Sequence, residues 1–316
     1  NSSMYDGASA LAEAVLMANR INGKHEILIS KAVHPEYIET TRTYASAQKL
    51  SFRQIPLDAS GRTDLEVLRE SVGEETCAVV VQYPNFFGIV EDLKAIRENI
   101  KDIVFIVVAE PFALSVLEPP ATFGADIVVG DGQPLGISMN YGGPTVGFLA
   151  TLEKHARKMP GRLIGETRDV EGNKGYVMIL QTREQHIRRE KATSNICTNH
   201  ALMAVINAVF MSTMGPHGLR EVAQRSYSNA HYLADRLNQK GFKLLFHGPF
   251  FNEFAVKFSK DYDSSWRKIF EKGVLGPLPL GWYFEEYKDC GLVCATEVNT
   301  KQSMDLLVEL LGRDVT

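Results

Sequence analysis

Four short runs of apolar, largely β-branched residues limit what this 316-residue chain can fold into. They are Glu26-Ile-Leu-Ile-Ser30, Thr76-Cys-Ala-Val-Val-Val-Gln82, Ile103-Val-Phe-Ile-Val-Val-Ala109 and Ile127-Val-Val129. Successive side chains of a strand point to opposite faces, so a run that is apolar at every position needs cover on both sides. That is the pattern of a parallel sheet held between helix layers. The intervening segments read as helices over 8–18, 35–50, 63–71 and 93–99, with a further strand over 51–57. The alternation predicts a doubly wound α/β domain.

In such sheets, ligands sit at the turns leaving the carboxyl ends of the strands. One such turn stands out: Gly124-Ala-Asp-Ile-Val-Val-Gly-Asp-Gly-Gln-Pro-Leu-Gly136 runs from strand into a glycine-rich loop. A second cluster, Tyr141-Gly-Gly-Pro144, precedes the apolar run over 146–150. Between Lys101 and Lys154 the chain has no Lys or Arg, so this turn offers no amine to hold a cofactor. Polar residues gather at the other predicted strand ends: His34, Asn85, Glu110, Asp131 and Gln133. Singly, His34 before Pro35 suits a helix cap and Asn85 after Pro84 suits a turn. The start of the first helix, with Ser3, Asp6, Gly7 and Ser9, suits either a phosphate cradle or a simple cap by Asp6.

Further on, two extended segments flank a turn at 169–175, followed by the cation-rich segment 181–195. Most charges there are positive (Arg183, Arg188, Arg189, Lys191) and lead into Thr193, Ser194 and Asn195. That mix suits either a solvated surface or an anion or partner interface. Residues 201–214 are apolar nearly all round, which predicts a buried helix at the base of the sheet. Gly215-Pro216-His-Gly218 reads as a boundary between a large domain, 1–215, and a small α+β domain, 216–316. The latter has a helix over 219–240, strands near 243–246, 253–258, 281–284 and 291–296, and helices over 264–272 and 301–311.

A net charge of -4 gives no reason to expect nucleic acid or an anionic membrane as partner. No uninterrupted apolar run approaches the roughly 18 residues that span a bilayer. Cys77, Cys197, Cys290 and Cys294 are too scattered for a disulfide framework or a metal site, which points to a reducing cytoplasm. The chain enters its first helix directly, without a leading strand or an initiator Met, and reads as a fragment whose upstream part is missing.

Residues 1–14, 82–88, 124–136 and 181–199 closely resemble the glycine decarboxylase P-protein of the glycine cleavage system, in the α subunit (subunit 1) of its split bacterial form. The resemblance spans essentially the whole chain, and residues 182–198 carry it most specifically; the family's N-terminal segment is absent. It implies a fold-type I pyridoxal-phosphate-dependent transferase-like architecture, with a large mainly parallel sheet domain and a small C-terminal α+β domain. It also implies an α2β2 assembly in which the lysine holding pyridoxal phosphate belongs to subunit 2. That assembly decarboxylates glycine and passes the aminomethyl group to the lipoyl arm of H-protein. Pro134 falls at the lysine position, within one residue, and Glu110 near that of the aspartate facing the pyridine nitrogen. His34 falls at the ring-stacking position, and Tyr5, Asp6, Gly7 and Ser9 in the phosphate turn. With Asn85 these become vestiges, and no catalytic residue is expected on this chain alone. Arg183, His186, Arg188, Lys191, Thr193, Ser194 and Asn195 are expected to wall the partner's site. The rival readings are a scaffold subunit without active-site groups, and a self-sufficient enzyme using Lys174 or Lys191.

Overall fold

The computed structural model describes residues 1–258 and 262–314. Its largest sheet takes strands β1 (Ser2–Met4), β2 (Glu26–Ser30), β3 (Ser51–Ile55), β4 (Thr76–Tyr83), β5 (Val104–Ala109), β6 (Ile127–Asp131) and β7 (Gly147–Thr151). The spatial order is β1-β7-β6-β5-β4-β2-β3. Strands β3, β2, β4, β5 and β6 are mutually parallel, while β7 runs antiparallel to β6 and to β1. Helices α1 (Gly7–Asn22), α2 (Pro35–Ala45), α3 (Leu65–Ser71) and α4 (Leu93–Ile100) cover the two faces.

The strict two-residue alternation explains why both faces are apolar. Ile27, Ile29, Val80, Ile106 and Val108 pack on the α1 side, and Leu28, Val79, Val81, Phe105 and Val107 on the α3–α4 side. Each such side chain contributes about 1.5–3 kcal/mol on burial. Helix α1 is buried along Ala10, Leu11, Ala14, Val15, Met17 and Ala18, so its two ends are fixed at opposite edges of the sheet.

Three expectations about the bounds of elements need correction. Ser2–Met4 is a strand, not the lead-in to a helix; three residues are too few to show a period, and only pairing with β7 defines it. Helix α2 stops at Ala45, because Ser46 caps Thr43 O and Lys49 turns left-handed at φ 55. Around 281–284 the chain forms 3-10 turns; the strand there is β12 (Leu278–Pro279).

After β7, β8 (Leu163–Arg168) and β9 (Lys174–Ile179) form a hairpin, followed by the short helix α5 (Gln185–Arg188). The long α6 (Ala201–Gln239) is broken at Gly215, whose φ 61 and ψ -179 lie outside helical space, next to Pro216. Its second half packs through Ala223, Ala230, Leu233, Ala234 and Leu237. Its first half overturns the expectation of burial: Leu202, Val205 and Val209 are 57–69% exposed, and Asn207 is its only fully buried residue. By length and composition alone α6 could cross a bilayer, with 6% of the apolar window buried.

A second sheet, ordered β10-β11-β13-β12, uses β10 (Lys243–Leu244), β11 (Glu253–Lys257), β12 and β13 (Cys290–Cys294). Helices α7 (Tyr262–Glu271) and α8 (Lys301–Asp314) flank it. Its core continues into Ala32, Phe86, Phe87 and Ile89 of the large sheet's loops. Gly88, at φ 80, is required there: a Cβ would lie 1.8 Å from the Glu253 carbonyl oxygen.

Candidate functional site

The expected cofactor positions come together at the carboxyl edge of β2, β4, β5 and β6. Pro134 lies in a tight turn closed by Leu135 N donating to Gly132 O at 2.9 Å and Ile137 N to Gln133 O at 3.2 Å. Asn207 of α6 fastens this turn by donating to Gly132 O at 2.9 Å and Leu135 O at 2.8 Å. Asp131 gathers the surroundings: Gly7 N donates to its Oδ2 at 3.0 Å, and Gln133 N to its Oδ1 at 2.7 Å. The Thr145 hydroxyl donates to the same Oδ1 at 2.5 Å.

The amino end of α1 is therefore filled from within. Asp6 caps it, accepting from Ser9 N at 2.7 Å, while Ser9 Oγ accepts from Asp6 N at 3.0 Å. Sequence left cradle and cap open; the geometry is a capping box. Tyr37 lies over Gly7, so that a Cβ there would come within 2.3 Å of the phenol oxygen. Burial, reinforced by Asp131, Asp6 and Glu36, raises the Tyr37 pKa. Tyr5 is tied to His200 at the start of α6, whose Nδ1 lies 3.0 Å from Tyr5 O.

His34 stacks on Tyr37 at 5.0 Å between ring centroids and meets Phe86 edge-on at 4.9 Å. Its Nδ1 accepts from Glu36 N at 3.2 Å, capping α2. Burial lowers its pKa against the pull of Glu36. Glu110 accepts from Phe112 N at 3.1 Å and Ala113 N at 2.5 Å. Burial raises its pKa to about 7 despite those two donors. Asn85 is 1% exposed and saturated: it donates to Gly61 O and Glu91, and accepts from the Phe87 and Ile89 amides.

Pyridoxal phosphate does not fit these residues. Pro134, expected at the lysine position, carries no amine, the amino end of α1 holds two carboxylates, and a tyrosine ring covers it. Tyr37, Thr145 and Asn207 were missed from the sequence. Tyr37 alone left a signal, since it stands one helical turn from His34 on the same face.

The second group lies elsewhere. Arg183 is 8% exposed and donates to Met159 O and, at 2.7 Å, to Gly161 O. Ser194 Oγ donates to buried Glu13 at 2.8 Å. Thr193 is half-buried, while His186, Arg188, Lys191 and Asn195 are exposed. Arg188 Nε donates to Thr182 O at 3.0 Å. These residues surround the carboxyl half of α1. Glu13 to Arg20 on that helix lie about 10–20 Å along the axis from Asp6, at about 1.5 Å per residue.

The sheet order, the internal hairpin and the small C-terminal sheet define the class: this is the fold of the fold-type I pyridoxal-phosphate enzymes. A NifS-like protein superposes with a TM-score of 0.66 at 14% identity, covering 98% of this chain and 81% of its own. A C-DES mutant with glycine covalently linked to its cofactor gives 0.69 at 16%, covering 99% and 80%. Within that class the chain belongs to the glycine cleavage system P-protein family, whose sequence model matches residues 1–311. It is 54% identical over 311 residues to a Thermotoga maritima protein described as "Probable glycine dehydrogenase (decarboxylating) subunit 1", covering 98% of this chain and 70% of the relative. A like-named Aquifex aeolicus protein is 48% identical over 315 residues, covering 98% and 72%. A crystal structure of an inhibitor-bound glycine decarboxylase (P-protein) of the glycine cleavage system superposes with a TM-score of 0.93 at 45% identity, covering 99% and 71%.

Proposed function

We propose that this chain is the α subunit of a split glycine decarboxylase, acting in the cytoplasm and completing a site whose cofactor is held by subunit 2. The carrying observation is a combination: family membership along residues 1–311, with a cofactor pocket that has no amine and is closed by its own side chains. In the assembled enzyme pyridoxal phosphate supplies the electron sink for loss of CO2, and H-protein accepts the aminomethyl group. The part left to this chain is binding and positioning.

The surface supports that role. Leu202, Val205 and Val209 on α6 and Ile164, Tyr176 and Val177 on the hairpin are all more than 45% exposed. Apolar surface of this extent suits a partner of matching chemistry, and we assign it to subunit 2 in an α2β2 assembly. His186, Arg188, Lys191 and Asn195 are the exposed members of the proposed wall. The Arg183 carbonyl accepts Thr193 N at 3.0 Å, which closes the segment that carries His186, Arg188 and Lys191.

The test is exchange of the glycine carboxyl group with bicarbonate, using lipoylated H-protein. Mixing this chain with subunit 2 should start an exchange that neither chain supports alone. Arg188→Ala should lower it by about tenfold, equal to about 1.4 kcal/mol. Unchanged exchange in that variant would favour a scaffold without active-site groups. A lysine adduct after borohydride reduction of this chain with cofactor would overturn the subunit reading.

A further inference from the structure

A cleft of about 320 Å3 opens beside the carboxyl end of α1, lined by Arg20, Arg157, Lys158, Arg183, Arg188 and Lys191, with no carboxylate in its wall. Among the described residues no ion pair engages Arg157, Lys158, Arg188 or Lys191. At its floor two guanidinium groups are left incomplete. Arg183, more than nine-tenths buried, satisfies Met159 O and Gly161 O but has no partner for Nε, and Arg20 Nε is buried and equally without one.

Only four buried side-chain polar atoms lack a partner among the described residues, and these are two of them. A third, Glu13 Oε2, stands 3.8 Å from Arg20. Burial lowers the pKa of Arg20, the Glu13 carboxylate opposes this, and the nearby Arg183 charge adds a smaller lowering. Glu13 beside Arg20 and Glu184, 3.7 Å from Arg183, offset the two floor arginines, so the excess positive charge is that of Arg157, Lys158, Arg188 and Lys191 around them.

We infer that this cleft binds a dianionic phosphate group. The donors converge from three segments: α1, the turn at 153–158, and the 180–193 segment. Such a convergence matches the several oxygens of a tetrahedral oxyanion, and planar guanidinium forks are suited to phosphate. Four of the six cations have no carboxylate partner among the described residues, more than a single carboxylate would match. The cleft shares Arg183, Arg188 and Lys191 with the wall proposed above, and the inference rests on that reading only where the phosphate is the partner's cofactor. The cleft lies at the far end of α1 from the closed cradle, so the two would not share a ligand.

The phosphate could be free in solution or carried by subunit 2 on its cofactor, and the test separates these. Inorganic phosphate is titrated calorimetrically into the 316-residue chain at constant ionic strength. Saturable binding to one site is expected, weakened about tenfold in Lys158→Ala and in Arg188→Ala. Both side chains are exposed, so the variants should keep the melting temperature of the parent. Absence of saturable heat, or the same affinity in both variants, overturns the inference. The titration is then repeated with the complex of the two subunits. Heat that persists in the cofactor-loaded complex assigns the cleft to a free phosphate or phosphate ester. Heat present in the cofactor-free complex and lost on loading assigns it to the cofactor phosphate. Loss in both complexes means that protein covers the cleft, and overturns it as a ligand site.

Discussion

The Asp131 carboxylate accepts the Gly7 amide at 3.0 Å, joining the turn after β6 to the first residue of α1. In a fold of this class that amide belongs to the helix end that would receive a phosphate. Here a side chain carries the negative charge, and it also receives Gln133 N and the Thr145 hydroxyl. Replacing Asp131 by Ala removes the shared acceptor of three donors. The expected loss is about 2–3 kcal/mol, as for a broken network of charge-assisted hydrogen bonds. Urea unfolding of the isolated chain measures it, and a loss below about 0.5 kcal/mol would contradict the network.

Restoring the amine should not restore the pocket. In Pro134→Lys the new side chain would enter a turn held by Asn207, next to a helix end capped by Asp6 and Asp131 and covered by Tyr37. Incubation with pyridoxal phosphate and borohydride should therefore leave no adduct at position 134. Peptide mass mapping reads this directly; a stoichiometric adduct there would show that only the amine was missing.

How far this was legible in the sequence follows from the range of each interaction. The parallel strands declared themselves because burial on both faces writes an unbroken apolar run over residues 77–81 of β4 and along all of β5. That the turn after β6 carries no amine was legible directly, since no Lys or Arg stands between Lys101 and Lys154. The closing of the cradle was not, because Asp131 meets Gly7 across 124 positions, and no local pattern encodes such a contact. The first half of α6 misled for a different reason. An apolar helix face records that something covers it, without recording whether the cover is the same chain.

That face supplies the third prediction. Val205→Asp with Val209→Asp places two carboxylates on side chains that are 57% and 60% exposed. In the isolated chain each change should cost no more than about 0.5 kcal/mol. In a mixture with subunit 2 the same pair should abolish co-elution on size-exclusion chromatography, because burying unpaired charges in an apolar contact is strongly unfavourable. Unchanged assembly would move the partner interface away from α6.

The last prediction concerns pH. Burial raises Glu91, Glu110 and Glu253 to about 7, from the ordinary value of 4.5. For Glu253 the neighbouring Glu110 charge adds to the effect. Each group holds a proton in the folded chain over a range in which the unfolded chain has released it. Their contribution to stability is thus complete below about pH 4.5 and is lost as pH rises through about 7. Asp263, Asp305 and Glu286 shift the other way, through hydrogen bonds to Trp282, Tyr232 and Lys31 respectively, and act at lower pH, while His34 and His155, lowered by burial, oppose the three carboxylates within the interval without matching their number. Between about pH 5.5 and about pH 8 the melting temperature should therefore fall, by roughly 3 °C or more. Glu253→Gln removes one titrating group and relieves Glu110, so its melting temperature should fall less over the same interval. A parent curve that is flat or rises between those limits would mean that these carboxylates are already ionised in the folded chain.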